Sequence, residues 1–210
     1  MRLLTESHAA QQPHWPASGR HILAQYDDTS IVVYQAYRPA IGHWAAEFGH
    51  LGGPAFSFHR MSWIKPNFLW MMYRSGWGTK DGQQVVLAIR IRREAFDTIL
   101  ASAVHSARND DVYGSETAWQ AAVARSEVRL QWDPDHDPSG SALVRRAVQL
   151  GLRGKTLRQF AGEWTIEVED ISAFVAEQRE HRGARLVTPR ERVYPVTDAA
   201  VAQRLGLDPS

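Results

Sequence analysis

The spacing of apolar residues along the chain switches repeatedly between the period of a strand and that of a helix. Ser30-Ile-Val-Val-Tyr-Gln-Ala-Tyr37 is a β-branched and aromatic run closed by Pro39, and it predicts a strand. Pro39 also suits the first turn of a helix, expected from Ala40 to about Phe48. A glycine-rich break follows, Gly49 to Pro54, and then the densest apolar segment, Phe56 to Trp77. Within it Pro66 reads as the first helical position and Gly76 as the residue just past the helix end. Asn67–Ser75 is therefore expected to be a short, almost wholly apolar helix that must be buried. Gln84–Ile91 predicts a second strand after a Lys80-Asp81-Gly82 turn. Arg93–His105 sets Phe96, Ile99, Leu100, Ala103 and Val104 on one helical face.

Further along, Glu116–Ala124 reads as a helix, while Ser126–Trp132 and Trp164–Val168 alternate as half-buried strands do. Val148–Leu152 adds a strand and Lys155–Phe160 a short helical turn. Ile171–His181 reads as a helix capped by Asp170, Arg192–Val196 as a last strand, and Asp198–Leu205 as a helix closed by Gly206. Strands and helices are interspersed, and several strands alternate in polarity instead of being uniformly apolar. This predicts an α+β fold, a single domain with a mixed, mostly antiparallel sheet and flanking helices. Residues 1–25 mix Gln, His, Pro, Ser and Gly without period and are expected to form a loosely structured leader to a domain over 26–210.

Composition narrows the chemistry. The chain has 210 residues and no cysteine, which excludes a disulfide framework, a thiolate zinc site, an iron–sulfur cluster and a cysteine nucleophile. Eight tryptophans and 44% hydrophobic residues exclude intrinsic disorder. The almost wholly apolar stretch Pro66–Tyr73 is far short of the roughly 20 residues of a membrane span, and polar and proline residues interrupt any secretory signal at the start. A cytoplasmic protein with no membrane partner is the expectation. The formal net charge is +1, but the bases are 21 arginines against three lysines. Arginine suits bidentate recognition of phosphate and carboxylate. A GC-rich coding bias produces the same excess, so composition names no ligand.

Phosphate-binding loops, dinucleotide fingerprints, serine-nucleophile elbows and paired-histidine zinc motifs are all missing from the sequence. Asp133-Pro-Asp-His-Asp-Pro-Ser-Gly140 has calcium-loop features, but Pro138 stands where glycine belongs and Val144 where the closing glutamate belongs. A solvated acidic turn is expected there. The nine histidines show no ligand spacing, so no metal is predicted. The 56–77 segment is different. It packs Trp63, Trp70, Trp77 and Tyr73 around Arg60, Lys65, Arg74 and Ser75. One reading is a buried helix whose ends need polar finishing. The other is a ligand pocket: Lys65 precedes a helix N-terminus, where it repels the dipole unless an anion is bound. Flat rings beside cations suit a nucleotide or nucleic acid.

At this cluster the sequence resembles domain-of-unknown-function family 4291 (DUF4291), from about Tyr26 to Leu205. The blocks that carry the resemblance are Val33–Tyr37, Arg60–Trp77, Val86–Ile91, Gln131–Pro134, Gln149–Arg153 and Glu191–Pro195. The resemblance implies an ADP-ribosyltransferase-like fold and a transferase that uses NAD, as substrate, to modify DNA, RNA or a nucleotide. Such an enzyme needs a first-strand group for the NAD ribose or amide, for which Tyr34, Gln35 and Tyr37 are candidates. Trp63 and Tyr73 are placed to stack on nicotinamide, with Arg60, Lys65, Arg74 and Ser75 as phosphate-binding candidates. Glu191, opening the last strand, is the expected catalytic carboxylate, with Glu163 and Glu167 as competitors. The alternative is a nucleic-acid-binding module without chemistry that uses the same aromatic and cationic residues.

Overall fold

The computed structural model describes residues 3–209, in which short elements follow one another closely. Strand β1 (Thr5–Ser7), helix α1 (His8–Gln11) and strand β2 (Leu23–Ala24) come first. Strand β3 (Ser30–Tyr37) leads into α2 (Pro39–Phe48), β4 (Ser62–Ile64), α3 (Phe68–Ser75), β5 (Val85–Arg92), α4 (Arg93–Ser102) and β6 (Ala103–His105). Helices α5 (Asp110–Tyr113) and α6 (Glu116–Arg125) precede a long hairpin of β7 (Val128–His136) and β8 (Ala142–Leu152). The chain then forms α7 (Gly154–Ala161), β9 (Thr165–Asp170), α8 (Ser172–Arg179), β10 (Val187–Pro189), β11 (Arg192–Val193) and α9 (Ala199–Leu205).

These elements make the single α+β domain with mostly antiparallel sheets that the pattern predicts. One sheet has the order β3-β5-β9 and is antiparallel throughout; the other has the order β4-β8-β7-β6, with β6 parallel to β7. Strands β3 and β5 are buried on both faces along most of their length, which explains why they read as nearly continuous apolar runs, while β9 at the edge is largely open. On one face Val33, Leu87 and Ile89 pack with Phe96 and Ile99 of α4 and with Leu130 and Leu150 of the second sheet. On the other, Val32, Tyr34, Val86 and Ala88 meet Phe68 and Met72 of α3 and Val175 of α8.

Several boundaries shift for identifiable reasons. Pro66 lies outside α3: Asn67 is its cap, accepting the Trp70 N–H at 2.7 Å, so the helix starts at Phe68. Residues 103–105, expected at the end of a helix, form β6 beside β7. Strand β11 stops at Val193, two residues before Pro195. The acidic stretch is not a solvated turn. Its first half continues β7, and Asp135, 1% exposed, pairs with Arg145 at 2.6 Å; the turn itself is Asp137–Ser141, closed on the Asp137 carboxylate.

The expected loose leader is packed from residue 3 onward, while Met1 and Arg2 lie outside the described residues. Strand β1 pairs with β10 and β2 with β11, and Leu3, Trp15, Ile22 and Leu23 are buried. The Trp15 indole N–H donates to the Glu191 carbonyl at 3.0 Å, and the Glu191 N–H donates to Gln11 Oε1 at 2.8 Å. Elements of two to four residues are too short to impose a period on the sequence, so this order leaves no pattern to read.

Six of the eight residues of helix α3 are buried, and Trp70 within it is 6% exposed. Trp70→Ala should cost roughly 3–5 kcal/mol of stability, read as a lowered urea midpoint. An unchanged midpoint would show that the indole is not part of the packed interior.

Candidate functional site: a cationic cleft between two sheets

The two main sheets meet at one backbone bridge. Tyr34 N–H donates to the Lys65 carbonyl at 2.7 Å, and Lys65 N–H donates to the Tyr34 carbonyl at 3.2 Å. Beyond that bridge β3 and β4 are linked by side chains. The Gln35 amide nitrogen donates to Ser62 Oγ at 2.7 Å and to the Trp63 carbonyl at 3.1 Å, while Tyr37 Oη lies 2.8 Å from Ser62 Oγ. A cavity of about 590 Å³ opens along this fork. Two of its lining residues pack directly on Gly151: a Cβ there would come within 2.5 Å of Met61 Sδ and 3.0 Å of the Trp63 ring.

Of the residues singled out from the sequence, Gln35, Tyr37, Arg60, Trp63, Lys65 and Arg74 line this one cavity. Arg38 joins them, and among the described residues no aspartate or glutamate does. Arg38, Arg60 and Arg74 are exposed and form a cationic rim, whereas Lys65 is 5% exposed. No carboxylate among the described residues lies within ion-pair distance of its ammonium. Burial pushes Lys65 down to about 8, and the Arg74 guanidinium adds to the effect against a weaker upward pull from Asp133. Burial likewise pushes the Tyr37 phenol up to about 12.

Four expected site residues are elsewhere. Tyr34 turns its ring to the opposite face of β3, edge-on to Phe68 at 5.5 Å, as the two-residue period requires once Gln35 and Tyr37 face the cleft. Tyr73 is exposed and stacks on His136, with ring centroids 3.5 Å apart. Ser75 Oγ donates to the Met71 carbonyl at 2.9 Å and accepts from Gly78 N–H at 3.2 Å, finishing the helix end. Arg74 is exposed, so its guanidinium carries no burial cost of the kind an enclosed aromatic setting would impose.

Glu191 is the fourth. It is 1% exposed, does not line the cavity, and accepts the Phe68 N–H at 2.6 Å at the start of α3. The acceptor that the helix N-terminus needs is thus one of the protein's own carboxyl groups, not a ligand. A carboxyl closed in this way has no path to a substrate in the cleft. Glu163 and Glu167, the competing carboxylates, also lie outside the lining. Sequence reasoning missed Gln131 and Gln149, which do line the cavity. The signal was present: they sit within two blocks of the family resemblance, on strands whose neighbouring positions 130 and 150 are apolar.

Residues 21–195 match the model of a domain of unknown function, DUF4291. The chain belongs to the DUF4291 family. No curated protein matches the chain. The matched span of the DUF4291 domain takes in every cavity-lining residue and Glu191. Among the described residues, no helix is long and apolar enough to cross a membrane.

The cap has a measurable signature. Burial pushes the Glu191 carboxyl up to about 8, against the lowering effect of the Phe68 N–H, with the Asp135 charge raising it further. The unfolded chain releases this proton near 4.5 and the folded chain holds it to about 8. Its contribution to stability is therefore complete below about 4.5 and is lost as pH rises through about 8. Stability should fall between pH 6.5 and 8 in the wild type, and Glu191→Gln, which keeps the acceptor without a titrating proton, should flatten that slope. Thermal melts of both proteins across this window are the check; parallel slopes would contradict the assignment.

Proposed function

We propose that the cleft binds an anionic nucleotide, with NAD the leading candidate, in an ADP-ribosyltransferase-like protein that modifies a nucleic acid or nucleotide. The observation that carries the reading is the convergence of Arg60, Lys65 and Arg74 with Gln35, Tyr37 and Trp63 around one cavity that no described carboxylate lines. Its volume of about 590 Å³ falls within the roughly 300–1,000 Å³ of small-molecule sites. Guanidinium and ammonium groups would hold the pyrophosphate by charge-assisted hydrogen bonds, and the Trp63 ring would supply an aromatic face. Binding an anion would also relieve the cost of the unpaired Lys65 charge.

ADP-ribosyl transfer breaks the nicotinamide–ribose bond through an oxocarbenium-like state, whose positive charge a carboxylate stabilises. Glu191 caps α3 instead of facing the cleft, and this observation favours a second reading, a nucleic-acid-binding module without chemistry. In that case single-stranded DNA or RNA would bind through the same cations, more weakly as salt rises.

One set of measurements separates the two. NAD should bind the wild type, with affinity reduced roughly tenfold in Arg74→Ala and unchanged in Glu191→Gln, both by calorimetry. Transfer of label from ADP-ribose-labelled NAD to a nucleic-acid acceptor supports the transferase reading. Salt-sensitive nucleic-acid binding with no NAD binding supports the module, and neither activity would overturn both.

A further inference from the structure

Strands β7 and β8 put Gln131 directly opposite Gln149. Leu130 and Leu150, next to them, face the core at 0% exposure, so the two glutamines face the other way, into the cleft that they line. They are not free to turn. Gln131 Nε2 donates to one oxygen of Asp133 at 2.8 Å, and Gln149 Nε2 donates to the other at 2.8 Å. Each Asp133 oxygen accepts from one of them, so both amides are held with nitrogen toward Asp133 and carbonyl oxygen away from it. Neither oxygen has a hydrogen-bond partner among the described residues.

Gln35 repeats the arrangement from β3. Its nitrogen is taken by Ser62 Oγ and the Trp63 carbonyl, and because a carbonyl cannot donate, the orientation of the amide is fixed. Gln35 is 3% exposed, and its Oε1 is buried with no partner among the described residues. Closed off from the cleft, that oxygen belongs to the wall, and the reading of a ligand is left to Gln131 and Gln149.

We propose that Gln131 and Gln149 form an acceptor surface that selects nucleotides carrying an NH2 group, with Asp133 as the positioning residue behind both amides. The inference rests on the cleft being a nucleotide site and deepens that reading. Phosphate oxygens have nothing to donate, so the amide oxygens must meet another part of the ligand. On a nucleotide such as NAD the ribose hydroxyls, the carboxamide of nicotinamide and the exocyclic amine of adenine can all donate; the hydroxyls are common to every ribonucleotide, so only the two NH2 groups let the amide oxygens tell one ring from another. The cations at Arg60, Lys65 and Arg74 then hold the charge while the glutamines read the ring substituent.

Three dinucleotides that share one pyrophosphate test this by calorimetry on the wild-type protein. They are NAD, nicotinic acid adenine dinucleotide, which lacks the carboxamide NH2, and nicotinamide hypoxanthine dinucleotide, which lacks the adenine NH2. At least one analogue should bind roughly tenfold or more weakly than NAD, and which one identifies the group being read. Gln149→Met, which keeps the bulk and removes the acceptor, should bring that ratio toward unity. Three affinities within about twofold of one another, or a tighter-binding analogue, would overturn the acceptor surface and leave the nucleotide cleft standing. Failure of all three to bind would overturn both. Because the wild-type ratios decide the matter, a Gln149 variant that folds poorly does not blunt the test.

Discussion

A buried lysine whose ammonium opens only to the cleft, with no carboxylate within ion-pair distance, is the constraint on which the candidate site depends. Lys65 is held there by its own backbone, which makes the bridge to Tyr34 that joins the two sheets. The residue cannot leave the fork without parting β3 from β4. Its side chain therefore stays 5% exposed in the cleft, and Arg74 on the next helix adds a second positive charge to the same space. A buried, unpaired charge is costly, and a protein that keeps one has either a compensating anion or a use for the group. Among the described residues the cleft lining offers no such anion.

The domain separates its two anion-attracting features. The N-terminus of α3, which draws negative charge, is closed by the Glu191 carboxyl and the Asn67 side chain. Behind that cap the Trp15 indole and Gln11 tie the first residues of the chain to Glu191, and Arg145, paired with Asp135, ties them to β8 through the Pro16 carbonyl. What is left open is the cation cluster alone. Segments near the two ends of the sequence thus brace the helix from one side, and Lys65 and Arg74 face the cavity on the other.

How much of this could be read from the sequence depended on element length. Strand β3 was legible from Ser30 to Tyr37 because eight residues buried on both faces leave a continuous apolar run. Helix α9 was legible from its ends, since Asp198 accepts the Ala200 and Val201 N–H groups and Gly206 takes the left-handed conformation. The side-chain period of β3 put Gln35 and Tyr37 on the cleft side, and the dense 56–77 segment contained Arg60, Trp63, Lys65 and Arg74. What could not be read was which polar groups the fold would bury. Glu191 opens a two-residue strand and looks like a surface carboxylate until the N-terminal segment closes over it. Asp135 sits in a stretch whose composition reads as a solvated turn, and only its pairing with an arginine ten residues on makes its burial tolerable. Gln131 and Gln149 lie eighteen positions apart in the sequence and meet only through the β7–β8 register.

Titration of the Lys65 ammonium by isotope-detected NMR, free and with NAD, decides whether it is a buried cation awaiting an anion. The account predicts an apparent value near 8 in the free protein, moving upward once the pyrophosphate is bound beside it. A lysine that titrates at the ordinary 10.5, with no response to the nucleotide, would contradict it.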